Sequence, residues 1–506
     1  MSIEGGEPVK ETSARSDYLS GPDAGRAAAR GGALRLGGYC AGVAASTVAA
    51  AMLFRHLGVI ETGQYVTALS LVALVAAVSD LGLTAIGLRE LSRRTEAEQV
   101  QIASDLLGLK FTLSAIGGVV IVAIAYFAYS PQLALGVALA TFGLAFTTTQ
   151  DNFALRLVVE LRLGWVAVLE LSRSLLTATA TILLVLIGAH LLPFLGMSIP
   201  VGFLVLVATG LLVRNGRSLA PTFNLRRWRA FTSTMMAYSA AVAASTLYYR
   251  VAILLVSKLA NALQLGYFSA SYRVIEVLTV VPLLLVNSVF PILARAARDD
   301  RNRLGYALQK VFEASLIVGA WVAMSIVITA PLAMSLLGGP NFQPADDVLA
   351  FQGIGLGTTF INVAWGYGLV SLGKYRLILA INIVSLLINI GIVTPLIKAD
   401  GALGAAIGTA ATEIILAYIL SRALATLRPE LRPLLGKIPR VLLAMALGLT
   451  PLAISSVPTL LRLVIANAIF FVTLLATRAI PQEVFDLLPM GPLRRVLTTR
   501  APRGKI

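Results

Sequence analysis

Fourteen apolar stretches, each close to twenty residues long and separated by short polar breaks, limit what this chain can fold into. They fall near 36–54, 65–88, 106–129, 131–150, 166–188, 194–213, 234–256, 266–293, 311–333, 346–371, 377–396, 401–420, 440–457 and 460–477. A helix rises 1.5 Å per residue, so about 20 apolar residues cross a hydrocarbon core of ~30 Å. Composition agrees: of 506 residues 57% are hydrophobic and only 13% charged, where a soluble domain carries roughly 25% charge to wet its surface. Mean hydropathy is +0.84. No polar stretch is long enough to build a soluble domain. The chain reads as an all-α polytopic membrane protein of about fourteen transmembrane helices. The pairs of stretches that meet near Pro131 and near Pro193 leave twelve as the alternative count. Breaks such as Pro282, Pro331 and Pro451 are tolerated where neighbours or water re-satisfy the freed carbonyls.

Lys and Arg give the direction. With fourteen spans, one set of loops and both tails collects most of the arginines, among them Arg89, Arg93, Arg94, Arg226, Arg227, Arg295 and Arg303, whereas the opposite loops hold only Arg55, Lys258, Lys398 and Arg462. The first side is therefore expected to be cytoplasmic, with both termini there and the chain in the plasma (inner) membrane. The same bias accounts for the formal charge of +16 without nucleic acid, and the basic loops suit contact with anionic membrane lipids. One cysteine, Cys40, excludes an intrachain disulfide. His56 and His190 fall at helix ends far apart and read as interfacial side chains rather than metal ligands or pH sensors; no Cys/His cluster has metal spacing.

Residues 1–33 are polar, glycine-rich and of mixed charge, without the short apolar core and cleavage site of a signal peptide, and read as a disordered cytoplasmic arm ahead of an uncleaved first helix. The expected organisation continues with a transmembrane lobe over 34–214, a cytoplasmic linker at 215–233 and a second lobe over 234–421. Two additional helices over 422–480 and a cytoplasmic tail at 481–506 complete it.

The two lobes rest on a weak internal repeat. The segment from Gly63 to Arg93 lies on the segment from Leu265 to Arg295 at an offset of 202, matching Tyr65 with Tyr267, Ala68 with Ala270 and Leu91 with Leu293. Both run from the outside inward. Two six-helix halves in parallel arrangement, plus two C-terminal helices, follow; parallel repeats of this kind are a transporter architecture.

Several chemistries are missing. There is no G-x-x-x-x-G-K-[ST] nucleotide loop, and Gly353, Gly355 and Gly357 sit in an apolar helix without the following lysine, as close-packing positions do. ATP-driven export by this chain alone is not expected, nor is any cofactor. The first external loop, around 55–64, is short and has Glu61 as its only acid, which is thin support for a membrane glycosyltransferase.

Ionisable residues at bilayer depth are functional hypotheses by default. Arg250 sits about six residues, or ~9 Å, from the outer end of the seventh stretch, and Arg273 about seven residues, or ~10 Å, into the eighth from the same side. Glu276 is three residues beyond Arg273 on the same face. Tyr248, Tyr249 and Tyr272 add hydroxyls, and Asn287 continues the Arg273 face. Read functionally, this is an anion site suited to phosphate, because guanidinium offers a planar bidentate fork and stays charged. Read structurally, the arginines snorkel to the interface, or Arg273–Glu276 is a plain ion pair. Asp80 and Glu413 are the ion-coupling candidates, for a proton or sodium gradient; for Asp80 a structural pair with a neighbouring helix's arginine is the simpler role. Glu170 and Arg173 are spaced for an intrahelical pair.

The run Gly63-Gln64-Tyr65, then Asp80-Leu81-Gly82-Leu83, then Gly87-Leu88-Arg89-Glu90-Leu91 resembles the opening of bacterial lipid-linked oligosaccharide flippases, the polysaccharide-biosynthesis branch of the multidrug/oligosaccharidyl-lipid/polysaccharide exporter superfamily. Gly266-Tyr267-Phe268-Ser269-Ala270, Arg273, Glu276, Pro282 and Pro291 are similar in kind, as is the loop Leu337-Gly338-Gly339-Pro340-Asn341-Phe342. The resemblance covers about 34–480 and implies two lobes around a cavity lined by cationic residues. It implies translocation of a polyprenyl-diphosphate-linked oligosaccharide by alternating access, with Pro282 and Pro331 as flexing points, in a bacterial inner membrane. A polysaccharide polymerase and glycosyltransferases are the protein partners it would suggest. Many members carry more basic residues in the first helix than this chain, where Arg35 stands only at its start. The competing readings are an ion-coupled multidrug antiporter of the same superfamily, which would favour buried acids and aromatics over arginine, and a membrane glycosyltransferase or assembly subunit.

Overall fold

The computed structural model describes residues 22–480, apart from 81, 85–86, 88–90, 92–95, 161, 214–219, 300 and 455. The expected tail at 481–506, the first part of the expected arm, and Arg89, Arg93 and Arg94 lie outside the described residues. Every regular element among them is helical. In chain order these are α1 (Pro22–Asp80), α2 (Glu96–Ala128), α3 (Pro131–Val159), α4 (Leu163–Leu186), α5 (Leu191–Gly196), α6 (Ser198–Val213) and α7 (Leu225–Leu259). There follow α8 (Ala262–Leu278), α9 (Val280–Asp299), α10 (Arg301–Leu337), α11 (Asp346–Ser371), α12 (Tyr375–Leu427), α13 (Ile438–Gly448) and α14 (Thr459–Ala476).

Among the described residues, twelve helical segments are long and apolar enough to cross a membrane. Two of them, at 44 and 53 residues, would measure about 66 and 80 Å at 1.5 Å per residue, more than twice a ~30 Å core. Both are broken. In α1 the break is Gly58, with φ 69° and ψ −176°; in α12 it is Asp400 and Gly401, the latter with φ 57° and ψ −124°. Taking each arm as one crossing gives twelve plus two, the fourteen crossings indicated by the apolar stretches.

The break in α12 is a reversal. A β-carbon on Gly404 would collide with the carbonyl of Leu396, and one on Gly408 would come within 3.1 Å of the Cα of Val393. In a straight helix Leu396 and Gly404 would be about 12 Å apart. The arms fold back against each other, and only glycine supplies both the turn conformation and the close approach. The side chain of Gln264 covers the turn, accepting from the Ala402 N–H at 2.9 Å.

One expectation needs correction at the N-terminus. α1 begins at Pro22, so residues 22–33 are helical rather than part of a disordered arm. The alanine run 27–29 favours helix strongly, and the glycines that suggested disorder are too sparse to interrupt it.

The chain divides into two compact units. Of the described residues, the first gathers those within 71–236 with those up to His56, and the second gathers Leu57–Ser70 with those from Ala237 onward. In the first, Leu83, Leu106, Leu109, Leu155 and Trp228 form a buried cluster. Thr222 is held to α2 by its N–H to the Ser104 carbonyl at 3.1 Å and by its hydroxyl to Asp105 Oδ1 at 2.5 Å.

In the second unit the core runs along α10, α11 and α12, with the rings of Phe312 and Trp365 stacked at 5.0 Å. Lipid gives helices no hydrophobic reason to associate, so close contact depends on small residues. β-Carbons at Gly353, Gly355 and Gly357 would meet Ile326, Ala410 and Ala323 respectively. Gly63 lies against Leu265 and Gly266, so the repeat-mate helices touch each other at matching positions.

α13 and α14 pack on α10 through Val441, Ala444, Ala466 and Phe470. Their connector is pinned by Gln309, whose amide donates to the Leu434 carbonyl at 3.1 Å and accepts from its N–H at 2.9 Å, and by Lys437, 2.8 Å from Glu313.

Candidate functional site

α7 and α8 are joined by only two residues, and the second, Asn261, caps α8 by accepting from the Gln264 N–H at 2.9 Å. The tight joint makes the helices antiparallel neighbours. It also fixes depth: Arg250 lies nine residues before the end of α7 and Arg273 eleven after the start of α8, about 14 and 16 Å along their helices. Both are deeper than the apolar stretches suggested, because those stretches stop short of the true helix ends.

The two arginines share one carboxylate. Arg250 Nη2 is ion-paired with Glu276 Oε1, and Arg273 Nη1 reaches Glu276 Oε2 at 2.7 Å. Arg250 also approaches Ser70 Oγ at 3.4 Å and stands 5.5 Å over the ring of Tyr272, a cation–π arrangement. Tyr272 in turn donates to the Tyr249 carbonyl at 3.0 Å. Arg250 is the most enclosed of the three, with 16% of its side chain exposed against 27% for Glu276 and 35% for Arg273. Two guanidinium groups against one carboxylate leave a net positive charge, held in place by helix geometry rather than by loops.

A second polar group faces the same cavity, which has a volume of about 260 Å³. Glu413 of α12 is 3% exposed. It accepts from Tyr248 Oη at 2.9 Å, Thr359 Oγ1 at 3.0 Å and Asn362 Nδ2 at 2.7 Å, and Asn362 also donates to the Glu413 carbonyl at 3.0 Å. All of these donors are neutral. Beside them lies Gln352, 6% exposed, with neither Oε1 nor Nε2 hydrogen-bonded.

Arg250, Tyr249, Glu276 and Glu413 thus line one cavity in the second unit. Arg273 joins it only through Glu276. Asn287 does not: it is exposed on α9. Pro282 stands between Arg273 and Asn287, in the first turn of α9. α10, by contrast, runs through Pro331 without a break.

Asp80 belongs to the first unit, where Lys110 Nζ lies 2.8 Å from its carboxylate and Thr84 donates to the same oxygen. Lys110 is only 3% exposed, so Asp80 already has a fixed cation. Arg173 pairs across to Asp151 on α3 at 2.8 Å, a partner its i,i+3 relation to Glu170 does not reveal. His56 meets the Ala189 carbonyl at 2.8 Å, and no group of three metal-ligating side chains occurs among the described residues.

Sequence reasoning passed over Gln352, Thr359 and Asn362. Their signal is spacing: i, i+7 and i+10 place three polar residues on one face of an otherwise apolar helix.

Comparison with known proteins agrees with this architecture. The family described as polysaccharide biosynthesis protein matches residues 52–354, which include Arg250, Arg273, Glu276 and Gln352 but not Glu413. No curated protein matches the sequence. Among solved structures, a lipid II flippase, MurJ, in an inward closed conformation superposes with a TM-score of 0.70 at 11% identity, covering 88% of this chain and 97% of that one. An inward-facing multidrug resistance transporter of the MATE family, in the MOP superfamily, gives 0.58 at 14% identity, covering 74% and 92%. The Vibrio cholerae MATE transporter VcmN gives 0.53 at 13% identity, covering 79% and 96%. At such identities the likeness is one of fold. The family match spans more than half of the chain and carries the assignment: this is a multi-pass membrane protein of the polysaccharide biosynthesis protein family.

Proposed function

We propose that the chain is a flippase that moves a polyprenyl-diphosphate-linked oligosaccharide across a bacterial plasma membrane by alternating access, for synthesis of a cell-envelope or exported polysaccharide. The observation that carries the reading is the Arg250–Glu276–Arg273 cluster, a net-cationic group on a cavity inside an apolar bundle. A diphosphate is a bidentate acceptor of high charge, and paired guanidinium forks at low dielectric are its natural counterpart. The lipid tail would stay in the bilayer while the headgroup crosses. Glu413 is the better placed of the two coupling candidates, since Asp80 is neutralised by Lys110; a proton or sodium gradient would be the source of work. The arginine-rich loops face the cytoplasm in this reading, by the positive-inside rule.

The test is surface polysaccharide in cells whose only copy of the protein is altered. Arg250→Ala at normal protein level is expected to lower export at least tenfold and to accumulate the lipid-linked precursor. Normal export would remove the cationic site from the mechanism.

A multidrug antiporter is the second reading, favoured by one observation, the buried carboxylate of Glu413 among Tyr248 and Tyr249. Organic-cation efflux that depends on Glu413 and ignores Arg250→Ala would select it.

A further inference from the structure

Gln352 is the one buried side chain on the cavity whose polar atoms are both left without partners. Most of the other polar groups there are engaged. Thr246, Thr279 and Thr409 bond to carbonyls one turn back in their own helices, Arg250 and Glu276 pair with each other, and Glu413 has three donors. A buried amide with no partner at either atom is costly, and native proteins keep such groups for a reason. Tyr249, Tyr272 and Phe268 line the same cavity, with Phe268 stacked on Tyr272 at an interplanar angle of 16°.

We propose that this cavity is a sugar subsite, and that Gln352 is its specificity-determining residue. A carboxamide presents one acceptor and two donors side by side, which is the complement of two adjacent hydroxyls on a pyranose ring. Tyr249, which also lines the cavity, offers an aromatic surface to the apolar C–H face of the same ring. The volume of about 260 Å³ lies just below the range of pockets that take drug-sized ligands, enough for a single ring and far too little for a polyprenyl chain. Arg250 is on the same wall as Tyr272, so the ring held here would be the one bonded directly to the diphosphate. The inference rests on the flippase reading for its diphosphate and adds the recognition of the first sugar.

Adjacent hydroxyls also occur on a glycerol lipid headgroup, and the experiment separates the two sources. The full-length protein in phosphatidylcholine nanodiscs is titrated with undecaprenyl diphosphate, bare or carrying one glucose or one N-acetylglucosamine. Wild type is expected to bind at least one glycosylated probe about tenfold more tightly than the bare probe, as expected for a buried amide gaining partners. Gln352→Met, near in shape but unable to hydrogen-bond, is expected to bring that ratio to about one. Arg250→Ala should weaken all probes while keeping the ratio.

Gln352→Asn, which keeps the amide and shortens its reach, should fall between, and serves if the methionine variant does not fold. Phosphatidylglycerol added to the nanodiscs should not compete with the glycosylated probe. A wild-type ratio of one for both sugars, a ratio that survives Gln352→Met, or competition by phosphatidylglycerol overturns the sugar subsite while leaving diphosphate binding intact. Failure of every probe to bind wild type overturns the flippase reading and this inference together.

Discussion

Arg250 and Arg273, on consecutive helices, are held together by the two oxygens of a single carboxylate, that of Glu276. Neither guanidinium is balanced by a carboxylate of its own, so Glu276 sets both the position and the residual charge of the group. A partly enclosed ion pair contributes little net stability when intact but is costly to break from one side.

Glu276→Gln should therefore destabilise the protein more than Arg273→Ala does. Loss of the carboxylate leaves two confined cations facing each other, at a cost of about 2 kcal/mol once partial exposure is allowed for. Thermal unfolding of purified protein in one detergent would rank the variants, and a Glu276→Gln midpoint equal to wild type would contradict the shared-carboxylate account.

The Asp80–Lys110 pair is lopsided, with Lys110 at 3% and Asp80 at 40% side-chain exposure. Asp80→Ala strands the enclosed lysine and should cost about 3 kcal/mol or more, whereas Lys110→Ala leaves a half-wetted carboxylate and should cost about 1 kcal/mol. The double variant should resemble Lys110→Ala alone. Stability equal in the two single variants would mean that water reaches Lys110.

Glu413 offers a different contrast. Alanine there would leave Tyr248, Thr359 and Asn362 without their acceptor, at about 1–3 kcal/mol for each stranded group, so Glu413→Ala should fold poorly. Glu413→Gln keeps the volume and an acceptor oxygen. It should accumulate normally yet lose export if the charge of Glu413 is used in transport. Polysaccharide export compared with protein level decides the point, since full export with glutamine would assign the residue to scaffolding.

The α12 turn predicts sensitivity at two glycines. Gly401→Ala places a side chain in a backbone region nearly confined to glycine, costing of order 1–3 kcal/mol, and Gly404→Ala drives a β-carbon into the Leu396 carbonyl. Both should lower the folded fraction by size-exclusion, with Gly391→Ala, which has open space around it, as the neutral control.

Much of this fold could be read in advance, because lipid forces one solution on any apolar run of twenty residues. The break at Asp400–Gly401 was visible as the gap between two runs. Interior polar partners were harder to see. Lys110 lies within the apolar stretch 106–129, and nothing local distinguishes a snorkelling lysine from one that meets Asp80. Asn287 shares the Arg273 face by helical period, yet it is exposed on α9 and does not line the cavity. Gln352 was written plainly in the i, i+7, i+10 pattern of α11, yet only the cavity gives it a purpose.

The connector before α13 carries a consequence of its own. Gln309 and Glu313 of α10 hold it by two hydrogen bonds to its backbone and one ion pair, Trp321 of α10 donates to Asn467 of α14, and much of the remaining contact is apolar. In water, stripping two helices from a domain would expose a greasy face and invite aggregation; in a bilayer, acyl chains would simply take their place. The final helix pair is thus fastened by a few polar clasps, a construction in which a chain can shed or acquire such a pair with little disturbance to the helices it leaves behind.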